Sequence, residues 1–478
     1  MTANPNIPWS LSDILDATGG EVLTAPQSIE FSGINTDSRQ IAPQECFVCL
    51  KGDTHDGHRF IPTVIQMGVR GIIADRTALT QNLLTTLAKA RVSCIAVRDT
   101  LMALGDLAAF LRRRSGLSIV ALTGSNGKTT TRTMITHVLS RRFTVLSPFG
   151  NFNNLIGVPL TLLRIEPNHE WAVLELGMNS PGEIRRLGEI CAADIGLITN
   201  IGPAHLEGLG SLDGIMEAKG ELMETISVDG TLIFNADDPL VMRLAKRAQC
   251  QTVLFGQAPG ADIRASSLKP DSHGISFRLH LPHGERRIQL PIPGLFNVSN
   301  ALAAAAVGTC LNIDLDDIQA ALQSFTPVTG RLTILELPGD VHLIDDTYNA
   351  NPASVKAAIS TLKDISGDQR CLAVLGDMLE LGEAAPDLHA EVGCKAGKSD
   401  LNKLFVSGQY AAAVRQGALE CGLDPENIYC GSKEEIIEQL AKIVAPGDWI
   451  LVKGSRGMRM ETVVHALKQK HQHLEKLS

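Results

Sequence analysis

The chain has 478 residues, and at roughly 100–200 residues per domain that is too long for one small module and enough for about three hydrophobic cores. A charged fraction of 20% and an apolar fraction of 44% exclude the disordered and fibrous classes. With 43 Lys and Arg against 52 Asp and Glu, a formal charge of −9, and 4% aromatic residues, the composition argues against a general nucleic-acid binder, which needs a basic face and stacking rings.

The opening MTANPNIPWSLSDIL has no basic segment followed by an apolar stretch, and no run approaches the ~18–20 apolar residues of a membrane span, so a cytoplasmic protein is expected. Ser10 reads as a helix cap, and short strands and polar turns such as DTHDG at 53–57 follow. The ten cysteines are scattered through apolar contexts, which suits reduced thiols better than a disulfide framework. Cys46 and Cys49 have redox or zinc spacing, but no second pair follows and ECFVCL reads as a buried strand. GIIAD and CIAV are strand-like, and the helical stretch LMALGDLAAFLRRR ends on Arg112, Arg113 and Arg114. These read as a solvated helix C-terminus and mark a first boundary, giving a domain over 1–112.

From 118 the pattern becomes buried strands followed by helices: SIVALTG, WAVLELG, DIGLITN and TLIFN. That order predicts an α/β fold with a parallel sheet over 113–328. Turn residues at TPVTGR, 326–331, precede a new βα series, VHLIDD, CLAVLGD, KLFVSG and DWILVKG, which predicts a third, Rossmann-like α/β domain over 329–478. The C-terminal HALKQKHQHLEKLS reads as a solvated amphipathic end whose histidines are a weak metal signal.

The sharpest motif is Thr123, Gly124, Ser125, Asn126, Gly127, Lys128, Thr129 and Thr130, placed directly between a buried strand and a helix. Glycines let backbone N–H groups close around phosphate oxygens at a helix N-terminus, Lys128 adds a point charge, and Thr129 offers a hydroxyl to magnesium. Position 122 is Leu where the strict phosphate-loop pattern has Gly, so this is a shorter variant. Three further residues sit at or beyond strand ends of the same sheet, where open α/β sheets place their ligands: Glu175, His205 and Lys219. Taken singly they also read as a cap, a satisfied loop histidine and a surface charge.

TGSNGKTTT, GNFNNLIGVPLTLL, LELG, NIGPAHLEGLGS, EAKGE, GLFNVSNALAA, DDTYNANPAS, LGDMLELG and VKGSRGMRME, in this order along all three regions, resemble the Mur ligase family, most of all its D-alanyl-D-alanine-adding branch. The resemblance implies an ATP-dependent amide-bond ligase of peptidoglycan precursor synthesis. Its expected partners are UDP-N-acetylmuramoyl-tripeptide, bound by the first domain, and D-alanyl-D-alanine, bound by the third, with an acyl phosphate between them; a monomer is expected. It further implies that Lys128 and the loop amides hold the β- and γ-phosphates of ATP. Thr129 and Glu175 would serve a first Mg2+, and His205 and a carbamylated Lys219 a second. Asn297 and Asn300 match the adenine-contacting pair, although Asn297 alone could be a helix cap. Arg331, Asp346, Tyr348 and Asn349 match residues that close over ATP, with Arg331 neutralising the transferring phosphate.

Thr36, Asp37, Ser38, Arg39, Lys51 and Gly52 are similar to the UDP-sugar-binding segments, although turn chemistry also explains them. Asn153 and Asn154 are carried over as substrate-binding, and Lys453, Ser455 and Arg456 as meeting the dipeptide carboxylate or as a surface turn. Within the family, no Asp-Asn-Pro-Arg signature of the third-residue ligase is found, and Lys-Thr-Thr stands where folylpolyglutamate synthases carry Lys-Gly-Ser. A non-enzymatic nucleotide switch is the reading from another class; motifs at successive strand ends fit a substrate-enclosing cleft better. A catalytically dead homologue is disfavoured because the expected phosphate and magnesium groups are all present.

Overall fold

The computed structural model describes residues 7–25, 29–52, 55–204, 206–271 and 274–475. The backbone forms two compact units, one of Met1–Leu122, Arg142–Gly196 and Glu221–Thr231, the other of Thr123–Arg141, Leu197–Gly220 and Leu232–Ser478.

In the first unit, Gly33–Asn35, Glu45–Val48, Gly71–Asp75 and Ser93–Val97 are parallel neighbours, and Glu21–Thr24 adds antiparallel at the edge. Ser93–Val97 is buried along its whole length, as the apolar run SCIAV requires of a strand covered on both faces. Cys46 and Cys49 are fully buried among these strands, and burial pushes both thiols far up, as for inert core residues. Ser10 caps Leu11–Thr18 in a reciprocal capping box with Asp13. The helix Thr100–Ser115 starts on an Asp99 cap and stops at Gly116 in the left-handed region, φ 68°. Its arginine end is more engaged than a solvated terminus: Arg112 donates to Ala192 O, and Arg114 to Pro8 O and Asp13. Trp171–Glu175 runs parallel to the strand that begins at Ser118, with Glu175 in register with Leu122, the residue before the phosphate loop.

In the second unit the loop helix Lys128–Leu139 packs on Phe296–Cys310, a helix of small buried residues. The two backbones come so close that a Cβ on Gly308 would lie 2.8 Å from Val138 Cγ1. Beyond Gln251–Gly256 the sheet continues through Ile263–Asp271 into an antiparallel meander, Gly274–Leu281 and Gly284–Leu290. The expected sheet is therefore parallel only in part. Ile275, Phe277 and Leu279 point inward while Arg278 is exposed, a period-two pattern without the continuous apolar run that marks a doubly covered strand.

The last region is a six-stranded sheet in the order Thr333–Leu337, Val341–Asp346, Trp449–Lys453, Cys371–Gly376, Lys403–Ser407, Ile428–Cys430, antiparallel in its first pair and parallel elsewhere. Alternate residues divide its core. Cys371, Ala373, Trp449 and Leu451 pack under Pro352–Ser366, Ala385–Gly397 and Ala411–Glu420. Leu372, Val374, Ile450 and Val452 pack under Lys433–Ile443 and Glu461–Glu475. The C-terminal helix is amphipathic as expected but packs one face into this core: Val463, Val464 and Leu467 are buried and His471 Nδ1 lies 2.9 Å from Pro338 O, while His465, Gln469 and Gln472 are exposed.

One expectation about cysteines needs correcting, since Cys394 and Cys421 form a disulfide while the other eight are free. The cause is helix packing. A Cβ on Gly417 would sit 1.9 Å from Ala390 O and one on Gly393 2.0 Å from Val414 O, so the two helices touch by their backbones. That contact brings residues 27 positions apart to a Cα separation of 5.0 Å.

Candidate active site

The phosphate loop is shaped by two glycines that no other residue could replace. Gly124 has φ 153°, and a Cβ there would lie 1.9 Å from Thr199 Oγ1; Gly127 has φ 78°, and its Cβ would lie 2.4 Å from Asn300 Oδ1. The neighbouring strand end holds the loop open: Ser125 N donates to Asn200 O at 2.9 Å and Asn126 N to Asn200 Oδ1 at 2.8 Å. Thr199 Oγ1 and Asn200 Nδ2 return donations to Asn126 O, both at 2.9 Å. Ser125 Oγ bridges Gly202 O and N at 2.9 Å each. Lys128 folds back with Nζ 2.8 Å from Gly124 O. This is a preorganised anion cradle at a helix N-terminus.

Asn297 and Asn300 are not caps. Both are buried inside Phe296–Cys310; Asn297 Nδ2 donates to Pro293 O at 2.6 Å, Asn300 Nδ2 to Asn297 Oδ1 at 2.8 Å, and Thr131 Oγ1 donates to Asn300 Oδ1 at 3.0 Å. The pair is thereby locked to the loop helix. Arg331 reaches the same helix, with Nη2 3.3 Å from Thr129 Oγ1 and its guanidinium 4.0 Å from the Tyr348 ring centroid. Its Nε is buried with no hydrogen-bond partner among the described residues, a donor suited to an anionic ligand.

Lys453 departs from the expectation that it meets an anionic substrate. It is buried, and its Nζ donates to Asp346 Oδ2 at 2.7 Å and Asn349 O at 2.9 Å. Burial pushes the Asp346 carboxyl up and the Lys453 ammonium down, and each opposes the other's shift. The pair fixes the turn that carries Tyr348 and Asn349. Ser455 likewise works on backbone, accepting from Leu379 N at 2.9 Å and donating to Ala350 O at 3.2 Å. Arg456 is exposed, 5.6 Å from the Tyr348 ring. Sequence reasoning did not single out Asn351, whose Nδ2 donates to Asn126 Oδ1 at 2.7 Å while its Oδ1 caps Pro352–Ser366. The available signal was Asn-Pro at a helix start. These groups surround one cleft, lined by Ser125, Lys128, Ala204, Asn349, Ala350, Asn351, Leu379, Glu380, Leu381, Ser455, Arg456 and Gly457.

Lys219 is no surface charge: on Leu212–Glu224 it is only 1% exposed. His205 lies outside the described residues, as do positions 53 and 54. In the first unit Glu175 is buried at the end of its strand and accepts from Asn153 Nδ2 at 2.8 Å, so Asn153 orients that carboxylate. Asn154 closes a local turn, its Oδ1 accepting from Ile156 N at 3.2 Å and Gly157 N at 2.9 Å. At Thr36–Arg39 the local turn chemistry is visible: Asn35 Oδ1 accepts from Asp37 N at 2.9 Å, and Arg39, mostly exposed, holds the Asp37 carboxyl down to about 2. Lys51 and Gly52 are exposed beside the bridge from Lys51 to Asp56. Among the described residues no group of three or more His, Cys, Asp or Glu could hold a metal, and no helix is long and apolar enough to cross a membrane.

A phosphate loop after a buried strand, a buried asparagine pair on the neighbouring helix and an arginine reaching the loop threonine define a P-loop nucleotide-binding α/β protein. Three family descriptions match in chain order: Mur ligase family, catalytic domain, at residues 30–112; Mur ligase middle domain, at 122–308; and Mur ligase, glutamate ligase domain, at 330–456. The chain belongs to the Mur ligase family. It is 35% identical over 435 residues, 91% of this chain and 93% of the relative, to the UDP-N-acetylmuramoyl-tripeptide–D-alanyl-D-alanine ligase of Bacillus subtilis strain 168. Among solved structures it resembles MurF of Acinetobacter baumannii, with 33% identity, TM-score 0.89, and 97% and 100% of the two chains covered. It also resembles the MurF ligase of Thermotoga maritima in complex with ADP, with 27% identity, TM-score 0.81, and 95% and 99% covered.

Proposed function

We propose that the chain uses ATP to join D-alanyl-D-alanine to UDP-N-acetylmuramoyl-tripeptide in peptidoglycan precursor synthesis. The observation that carries this reading is the cleft, in which the phosphate-binding Ser125 and Lys128 share a lining with Arg456 and the 379–381 loop. A carboxylate is a poor electrophile, so the terminal carboxylate of the tripeptide first takes the γ-phosphoryl group, giving an acyl phosphate and ADP. The dipeptide amine then attacks the acyl carbon, the C–O bond to phosphate breaks, and amide, phosphate and a proton leave.

In this reading Lys128, the loop amides and Arg331 hold and neutralise the phosphates, and Asn297 and Asn300 present the adenine pocket. Asp346 and Lys453 set the turn that stacks Tyr348 under Arg331, and Arg456 takes the dipeptide carboxylate. Positioning and charge neutralisation are the protein's share of such a step. The donor set suits Mg2+, which is held by one or two hard oxygens plus substrate phosphates and not by a dedicated cage. Thr129 and the buried Glu175 would hold one ion, and His205 and Lys219 a second; the metal would draw charge from the phosphate oxygens. A carbamate on Lys219 fits a side chain that is 1% exposed, because the CO2 adduct is an oxygen ligand whereas an ammonium is not. Thr36–Arg39, Lys51 and Gly52 are assigned to the UDP-sugar. We take the domains as 1–112, 113–328 and 329–478, the protein as monomeric and its compartment as the cytoplasm.

The test is phosphate release from Mg-ATP and UDP-N-acetylmuramoyl-tripeptide, with and without D-alanyl-D-alanine, using tripeptides ending in lysine or diaminopimelate. Release that requires the dipeptide and yields a pentapeptide mass is the expected result. Release with a dipeptide precursor plus one amino acid would move the chain to another branch, and silence with every acceptor would favour a nucleotide switch.

A further inference from the structure

We infer that Asn351 is a positioning residue for nucleotide binding: it holds the side-chain amide of Asn126 with the N–H end toward the phosphates, an assignment that rests on the ATP-using reading above. The backbone of Asn126 is committed to the neighbouring strand end, its N donating to Asn200 Oδ1 at 2.8 Å and its O accepting from Thr199 Oγ1 and Asn200 Nδ2 at 2.9 Å each. Its side chain is oriented from elsewhere, by Asn351 Nδ2 donating to Asn126 Oδ1 at 2.7 Å. Asn351 is fixed in turn. It is the N-cap of Pro352–Ser366, with Oδ1 accepting from Ser354 N at 2.9 Å and N donating to Ser354 Oγ at 3.0 Å. The turn leading to it is tied down by Lys453 Nζ on Asn349 O at 2.9 Å and by Ser455 Oγ on Ala350 O at 3.2 Å.

The direction of each hydrogen bond carries the argument. An asparagine amide has an acceptor oxygen on one side and N–H donors on the other, and its shape does not decide which it presents. A helix N-terminus offers only N–H groups, so the cap draws the oxygen of Asn351 onto Ser354 N and turns its Nδ2 outward. An outward donor must meet an acceptor, which draws the oxygen of Asn126 toward Asn351 and turns its Nδ2 the other way. Phosphate oxygens accept, and Ser125 and Lys128, which flank Asn126 in the loop, both line the cleft. An amide turned over would set its own oxygen against the anion. A helix cap 225 residues away in sequence thus sets the polarity of the phosphate loop.

The test is Mg-ADP affinity by calorimetry for wild type, Asn351→Ser and Asn351→Asp, each with Asn126 intact and with Asn126→Ala, and with melting temperatures alongside. Ser and Asp both keep an oxygen for the cap, so melting temperatures should stay close to wild type. Ser is too short to reach Asn126, and its affinity should fall roughly three- to tenfold, the loss of one hydrogen bond. Asp reaches Asn126 but can only accept, so it turns that amide over, and affinity should fall roughly ten- to hundredfold. With Asn126→Ala in place, neither replacement should move the affinity by more than about twofold, because the residue through which Asn351 acts is gone. Unchanged affinity in Asn351→Asp, a larger loss in Ser than in Asp, or losses that persist in full beside Asn126→Ala would overturn the assignment; the last would mark direct repulsion by the new carboxylate. Binding is read without turnover, so this pattern in a chain that forms no amide refutes the ligase reading alone, and amide formation without the pattern refutes Asn351 alone.

Discussion

A single missing Cβ shows how tightly the phosphate loop is specified. At Gly127 a methyl would stand 2.4 Å from Asn300 Oδ1 in a backbone with φ 78°, so Gly127→Ala combines strain with displacement of a buried amide. The cost should be about 1–3 kcal/mol, read as a lowered melting temperature together with loss of ADP binding by calorimetry; normal ADP affinity would show that the asparagine lock is dispensable. Tyr348 gives a second test, because Arg331 stacks 4.0 Å above its ring. Tyr348→Leu should raise the ATP KM by roughly two- to thirtyfold, the span of about 0.5–2 kcal/mol for a cation on an aromatic face, and Tyr348→Phe should restore most of it. Lys128 was legible as part of a phosphate loop because that motif is local, whereas Asn297 and Asn300 were singled out only by the family resemblance, their link to the loop helix spanning 169 residues. The role of Lys453 was not legible, because the carboxylate that neutralises it is 107 residues away, and a lysine after a strand reads as a cation in search of an anion until its partner is known.

At the scale of elements, the loop behind the cleft depends on the charge state of one histidine. His389 Nδ1 lies 2.6 Å from Ala385 O and Nε2 accepts from Met378 N, which requires the neutral tautomer carrying its proton on Nδ1. Burial lowers its pKa from 6.5, opposed by the Ala385 carbonyl and Asp377. A depressed folded value means the contribution is fully present above about pH 6.5 and is lost as pH falls through the folded pKa. The stability gap between wild type and His389→Gln should therefore narrow on acidification below pH 6.5; a gap that is constant with pH would contradict the tautomer assignment. The helix pair further on offers an independent check. A cross-link between residues 27 positions apart is worth about 3–4 kcal/mol in the chain-entropy treatment, so Cys394→Ser should cost up to that amount, and thiol counting under reducing conditions should yield two more reactive groups. The parallel βα units were readable from continuous apolar runs, whereas the 263–290 meander and the C-terminal helix were not. Their apolar residues alternate with charge, and only packing decides which face is covered.

For the whole molecule, the sequence order of motifs announced three α/β regions and a nucleotide-dependent ligase, but not which residues of distant segments meet. Arg331 finds Thr129 across 202 residues and Asn351 finds Asn126 across 225, separations that no local pattern encodes. On the proposed reading these meetings would set a phosphate end of the cleft apart from an acceptor end, and that division predicts that two arginines on one tyrosine serve different half-reactions. Arg331, on the loop threonine with its Nε buried and without a hydrogen-bond partner among the described residues, would on the proposed reading serve phosphoryl transfer. Arg456, exposed and 5.6 Å from the centroid of the Tyr348 ring, would on the proposed reading serve acceptor binding. With ATP, UDP-tripeptide and hydroxylamine but no dipeptide, Arg331→Ala should abolish hydroxamate formation, since removing a charged donor from a transferring phosphate costs orders of magnitude in rate. Arg456→Ala should leave hydroxamate formation within about threefold of wild type and raise the dipeptide KM roughly ten- to hundredfold, the cost of a lost charged hydrogen bond. Equal loss of both half-reactions in both variants would mean that the cleft works as one indivisible charge cluster, and the assignment of separate ends would fail.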